Sequence, residues 1–160
     1  MNFLKLIIVF LPFISFGQIA AWDFTGESNL VTSTAEIYAA NLDASSTITR
    51  GSGASASAGA NSFRTVGFQN NGIAVTNTDY FETTFSAAAG YTLSLTSINA
   101  NFAGTGTFSA TPGVQMQYAY SLDGLTFTFI GSPFFKIGNG AMNQIDLSGI
   151  TQLQNVPSNA

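Results

Sequence analysis

Beyond about residue 20, apolar and polar residues mostly alternate in short runs, with turn-forming residues between them. Period two is the signature of strands whose side chains point alternately to two faces. Trp22 and Phe24 flank Asp23 and are expected to share a face of a first strand over 21–24, ended by Thr25-Gly26. Residues 46–50 and 63–68 form the next runs, after a less regular stretch around Ile37-Tyr38. Asn71-Gly72 is the dipeptide favoured in two-residue hairpin turns, which predicts a hairpin joining 63–68 to 73–75. In 79–86, Phe81, Thr83 and Phe85 share one face, expected to be the core face; Tyr80, Glu82 and Thr84 share the polar one.

Tyr91, Leu93 and Leu95 alternate, the phase slips at Ser97, and Ile98, Ala100 and Phe102 resume the pattern. A one-residue slip inside alternation predicts a β-bulge. Val114, Met116, Tyr118 and Tyr120 then alternate with Gln115, Gln117 and Ala119; Asp123-Gly124 predicts a second hairpin turn, and Leu125, Phe127 and Phe129 its return strand. Residues 134–137 and 143–147 read as weaker strands, and 150–153 as the one helical turn. Eight or nine short strands at this spacing predict an all-β, antiparallel sandwich. The small-residue run 51–60 has two accounts, an interdomain linker or an ordinary loop or strand edge. The second is favoured, because the flanking pieces are each too small to fold alone.

The first residues do not fit this scheme. Met1 to Lys5 carry one positive charge, an apolar run follows to Phe16, and Ser15-Phe16-Gly17 offers small residues for cleavage before Gln18. This predicts an export signal over 1–17 and a single mature domain over 18–160. The apolar run contains Pro12 and falls short of the roughly 20 residues that a spanning helix needs. The expected location is secreted or bacterial cell surface, with no membrane attachment once the signal is removed.

Composition narrows the chemistry. Charged residues make up 8% of the chain, and there is neither Cys nor His. After Lys5 the cations are Arg50, Arg64 and Lys136, too few for the basic face that nucleic acid requires. Serine catalysis lacks its usual base, and zinc lacks its usual ligands. Two chemistries survive. Paired carboxylates could hydrolyse a glycoside, with Asp43, Asp79, Glu82 and Asp123 among those available, yet none sits in a diagnostic context. Asp23, Asn77 and Asp79 could supply oxygen to a structural calcium ion, for which turn formation is the alternative account. No other cofactor is expected. Trp22, Tyr38, Tyr80, Tyr91, Tyr118 and Tyr120 could stack on sugar rings. Core packing is expected for all of these except Tyr80, which is on the face opposite Phe81 and Phe85.

The segment Gln117-Tyr118-Ala119-Tyr120-Ser121-Leu122-Asp123-Gly124-Leu125-Thr126-Phe127 resembles the YSxDGxxF hairpin of jelly-roll β-sandwich modules in bacterial secreted proteins, carbohydrate-binding and discoidin-like domains included. Ala21-Trp22-Asp23-Phe24-Thr25-Gly26, Asn61-Ser62-Phe63-Arg64, Gly90-Tyr91-Thr92-Leu93-Ser94-Leu95 and the Ser15-Phe16-Gly17-Gln18 junction extend the likeness. Together they resemble the N-terminal module of large surface proteins of the type IX secretion route. The resemblance implies a jelly-roll fold over nearly the whole mature chain. Such modules continue past the equivalent of 147–156 into further strands, so it also implies a fragment lacking its last strands. An unpaired strand edge or a partly uncovered apolar face should then be present. The function expected is a non-catalytic binding or adhesion module, with polysaccharide or another surface glycan as ligand. The alternatives are a spacer or cap without a ligand and, last, a glycan-active hydrolase. No individual site residue is singled out.

Overall fold

The computed structural model describes residues 17–28, 32–69, 71–102, 104, 110–142 and 144–158. Residues 1–16, which hold nearly all of the predicted export signal, lie outside the described residues. The chain is all-β and its sheets are antiparallel, an arrangement consistent with a β-sandwich. In order come β1 (Ala20–Ala21), β2 (Ser33–Thr34), β3 (Ile37–Tyr38), β4 (Thr47–Arg50), β5 (Ser55–Ala56), β6 (Thr65–Val66) and β7 (Phe81–Thr83). The second half holds β8 (Thr92–Leu93), β9 (Ser97–Ile98), β10 (Asn101–Phe102), β11 (Val114–Tyr120), β12 (Thr128–Lys136), β13 (Gly140–Ala141), β14 (Ile145–Asp146) and β15 (Val156–Pro157). A 3-10 turn, Thr151–Leu153, falls where the sequence places its one helical turn.

Many of these short strands are pieces of longer interrupted ribbons. In the first, β4 lies between β2 and β7, with Ile48 opposite Thr83 and Arg50 opposite Phe81. The same register runs on through Gly51 N–H to Tyr80 O (3.0 Å) and Gly53 N–H to Thr78 O (2.8 Å). At its other end Asp43 N–H bonds Ser86 O, Ala88 N–H bonds Asn41 O, and Leu42 bridges Ala87. The run 51–60 is therefore strand edge rather than linker. Its glycines are required by closeness: a Cβ on Gly51 would overlap the Thr78 carbonyl oxygen and meet Tyr80 Cε1 at 2.6 Å. β5 then pairs with β6, and β1 with β3.

In the second ribbon, residues 92–102 run against 140–157 through the pairs β8–β15, β9–β14 and β10–β13. The phase slip at Ser97 marks an interruption larger than the bulge expected there. Leu95 N–H still bonds Leu153 O, but Leu147 N–H bonds Thr96 O, so 148–152 loop out of the ladder as the 3-10 turn. Gln154 spans the opening, its Nε2 donating to Leu95 O at 2.8 Å and to Leu147 O at 3.1 Å. Leu147 and Leu153, the two large apolar residues among the most buried, flank this excursion.

The third element is the β11–β12 hairpin. Its register shifts between Met116 and Tyr118, where Gly131 takes φ +61° and Gln117 Nε2 donates to Gly131 O at 2.7 Å. The runs expected separately at 125–129 and 134–137 are largely one strand, but Leu125 and Phe127 precede it, in the loop. Among the described residues the hairpin pairs with no other strand. Ile37, Tyr38, Phe135 and Ile137 are more than half exposed.

Three local expectations are corrected. The predicted hairpin at Asn71-Gly72 does not form, because 73–75 is not a strand and β6 pairs with β5 instead. Residues 67–69 and 71–77 belong to no strand, and Gln69 N–H donates to Asp79 Oδ2 at 2.7 Å. Phe81 was expected inside and Glu82 outside; Phe81 is 42% exposed and Glu82 only half-exposed. The Phe81 ring instead joins a surface cluster with Phe63 and Phe68, at centroid distances of 5.6 Å each, and the Arg50 guanidinium lies 3.4 Å above Phe63. Finally, Trp22 and Phe24 do not continue one strand. Phe24 has φ +58°, which ends the alternation and stacks its ring on Phe63 at 5.7 Å, while Trp22 packs against Phe85.

Candidate binding groove

The clean alternation of β11 sends Met116, Tyr118 and Tyr120 to one face of the hairpin, where Tyr118 lies opposite Ile130 and Met116 opposite Phe134. Tyr118 and Phe134 stack with centroids 5.9 Å apart and planes 22° from parallel. The groove that they line also takes in Ile145 and Asp146 of β14 and Gly149, Ile150 and Gln152 of the looped-out stretch that follows. It is open, with a volume of about 660 Å³, walled by Tyr118, Tyr120, Ile130 and Phe134 on one side and rimmed by Gln144, Asp146 and Gln152 on the other. Gly131, at the hairpin's register shift, and Gly149, Ile150 and Gln152, in the looped-out stretch, all belong to its lining.

The polar groups differ in how far they are committed. Asp146 Oδ1 accepts from Ser148 Oγ (2.6 Å) and Ser148 N–H (2.9 Å), and these bonds hold its carboxyl below the usual range. Gln144 and Gln152 are exposed. The Tyr118 hydroxyl is buried and has no hydrogen-bond partner among the described residues. Burial raises its pKa, because the phenolate would be poorly solvated, so it stays a neutral donor and acceptor. A buried hydroxyl without a partner costs about 1–3 kcal/mol. Tyr118→Phe is therefore expected to leave the melting temperature unchanged or raise it; a clear fall would show that the hydroxyl has a partner in the folded protein.

The other sequence candidates disperse. Tyr38 and Tyr91 are each 51% exposed, contrary to the core packing expected of them, and Tyr80 is exposed as expected. Trp22 is half-buried and its Nε1 donates to Ser33 O at 3.1 Å. Asp23 and Asp79, considered for calcium, accept backbone bonds from Thr25 N–H and Gln69 N–H, and the Asn77 amide donates to Gly72 O. The Asp23 bond is a local turn, whereas the Asp79 and Asn77 bonds tie together the two ends of the 67–79 stretch. Asp43 and Glu82 both line a second, polar depression of about 370 Å³, together with Thr47, Thr49 and Ser86. The groove rim at 144–152 carried no functional signal in the sequence. Tyr118 and Tyr120, for which the sequence predicts core packing, are half-buried and line the groove instead.

Asp123 does not turn a two-residue hairpin. Tyr120 pairs with Thr128, leaving a seven-residue loop in which Asp123 Oδ1 accepts from Thr126 N–H (2.7 Å), Leu125 N–H (2.8 Å) and Ser121 Oγ (2.8 Å). These bonds, the two backbone ones first, pull the carboxyl far below the ordinary range. A depressed folded-state pKa stabilises fully above the unfolded value of about 3.9, and that stabilisation is lost as pH falls from there towards the folded value. The urea midpoint of the wild type should therefore drop over this acid range more than that of Asp123→Asn, which keeps a carbonyl acceptor but cannot ionise. Equal pH slopes in the two proteins would contradict this assignment.

Comparison with protein families, with curated proteins and with solved structures finds no match. The case for function therefore rests on the groove and on the sequence.

Proposed function

We propose that the mature chain is a non-catalytic extracellular binding module of jelly-roll type, part of a larger secreted or surface protein of bacterial origin, and that its ligand is a polysaccharide or related surface glycan. The observation that carries this reading is the groove, with tyrosine and phenylalanine rings on one wall and amide and carboxylate groups on the other. Aromatic faces suit the apolar faces of pyranose rings. Gln144 and Gln152 each offer donors and an acceptor to sugar hydroxyls, and Asp146 offers acceptors. The groove is open rather than enclosed, which suits a chain ligand entering from the side. The resemblance of the 117–127 segment to hairpins of carbohydrate-binding modules points the same way, as does the export signal read at 1–17.

A second reading is a spacer or cap that packs against neighbouring domains and has no ligand of its own. The exposure of Ile37, Tyr38, Phe135 and Ile137, away from the groove lining, favours it. Retention of the mature domain on insoluble polysaccharides, followed by a glycan array, separates the two. Binding that is lost on Tyr120→Ala and on Gln152→Ala, with folding intact, supports the groove. A folded domain retained on no glycan would overturn it in favour of the spacer.

A further inference from the structure

Two Asn-Gly dipeptides lie among the described residues, Asn71-Gly72 and Asn139-Gly140, and the fold treats them differently. Asn139 Oδ1 accepts from Gly104 N–H at 2.9 Å. Gly140, in β13, is paired with Phe102 of β10. Turning the Asn139 side chain onto the Gly140 nitrogen would break the first bond and distort the second pairing.

Asn71 and Gly72 are both exposed, and the space that a Cβ on Gly72 would occupy is open. The loop around them is pinned by Gln69 N–H to Asp79 Oδ2 (2.7 Å), Asn77 N–H to Ala74 O (3.0 Å) and Asn77 Nδ2 to Gly72 O (2.7 Å). The last bond holds the Gly72 carbonyl and leaves its nitrogen uncommitted. Neither the Asn71 amide nor the Gly72 N–H has a partner among the described residues. Glycine also puts no side chain in the way of an attack by its nitrogen.

We propose that Asn71 is a site of spontaneous modification, in which the Gly72 backbone nitrogen attacks Asn71 Cγ. The new C–N bond closes a succinimide, the Cγ–Nδ2 bond breaks, and Nδ2 leaves as ammonia with the proton given up by the Gly72 amide. Water then opens either ring carbonyl. One opening gives aspartate; the other gives isoaspartate, in which the main chain runs through Cβ and Cγ. No oxidant, metal or enzyme is required. Both products add a carboxylate to a loop that already carries Asp79, in a chain whose formal charge is −4. An exported protein would thus become more acidic at this loop with age.

Trypsin separates the two dipeptides, because cleavage after Arg64 and Lys136 puts Asn71 in the peptide 65–136 and Asn139 in 137–160. The folded protein, incubated at mildly alkaline pH, is expected to gain the mass difference of amide to acid in peptide 65–136. The gain should be about tenfold faster than in 137–160, the factor set by the net worth of one hydrogen bond. Asn71→Ser should abolish the fast gain, and incubation in urea should bring the two peptides to similar rates. Equal rates in the folded protein, or a fast gain that survives Asn71→Ser, would overturn the proposal.

Discussion

Replacing Gly51 with valine is expected to destabilise the domain by more than the about 1–3 kcal/mol typical of an overpacked core position. The added atoms would meet backbone. The Cβ alone overlaps the Thr78 carbonyl oxygen, and that oxygen belongs to the strand to which Gly51 and Gly53 donate. A flexible side chain could turn aside, but the ladder can only separate. The 3.0 Å bond from Gly51 N–H to Tyr80 O and the 2.8 Å bond from Gly53 N–H to Thr78 O would then be lost together. Gly51→Ala is expected to show a smaller part of the same loss. Gly149→Ala is the control, because nothing lies within 4 Å of its Cβ position and its φ is not in the left-handed region. Urea midpoints measure all three. A Gly51→Val protein within about 0.5 kcal/mol of wild type, the range of an ordinary surface substitution, would show that the ladder does not continue past Arg50.

The glycines of 51–60 illustrate how far the sequence could be read. Their small size was visible, but the closeness of Gly51 and Gly53 to another strand was not, since the partner lies 25 residues or more along the chain and its register depends on β4 and β7. Strand existence was legible where alternation is clean. The 114–120 run becomes β11 with both ends as read, and the helical turn at 150–153 lies within one residue of its place. Facing was less legible, for a compositional reason. With 8% charged residues, the outer face of a strand is marked by Ser, Thr and Asn rather than by charge, so Phe81 in the surface ring cluster looked like a core residue. Asn71-Gly72 has the letters of a hairpin, but a turn dipeptide can only join strands that find each other, and β6 pairs with β5. The positive φ of Phe24 was invisible, because nothing in an aromatic residue announces a conformation that costs it about 1–2 kcal/mol. The groove was the least legible feature, since its two walls come from a hairpin bulge and a ladder interruption, both of which are irregularities.

Leu147→Ala is expected to have the other large effect, and to reach the groove as well as the fold. Among the described residues Leu147, 1% exposed, is the largest side chain buried to that degree, and the other most buried apolar residues are Leu153 and three alanines. Truncating a leucine at such a site costs about 2–5 kcal/mol, through lost transfer energy and the cavity left behind. Domains of this kind have net stabilities of only about 5–15 kcal/mol, so one substitution removes a large share. The position matters too. Leu147 N–H bonds Thr96 O and its carbonyl accepts from Gln154 Nε2, and both bonds anchor the start of the excursion that forms the groove's second wall. Asp146 precedes it and Gly149, Ile150 and Gln152 follow, all of them lining the groove. At temperatures where the variant is still folded, retention on the glycan proposed for the groove should therefore be weaker than for wild type, without any change in a groove-lining residue. Leu125→Ala removes an equal side chain that is 86% exposed in the hairpin loop, and is expected to stay within about 0.5 kcal/mol of wild type with binding intact. If Leu147→Ala lowered the urea midpoint but left glycan retention unchanged, the second wall would be independent of the core beneath it, held by backbone bonds and by Gln154, which the substitution leaves in place.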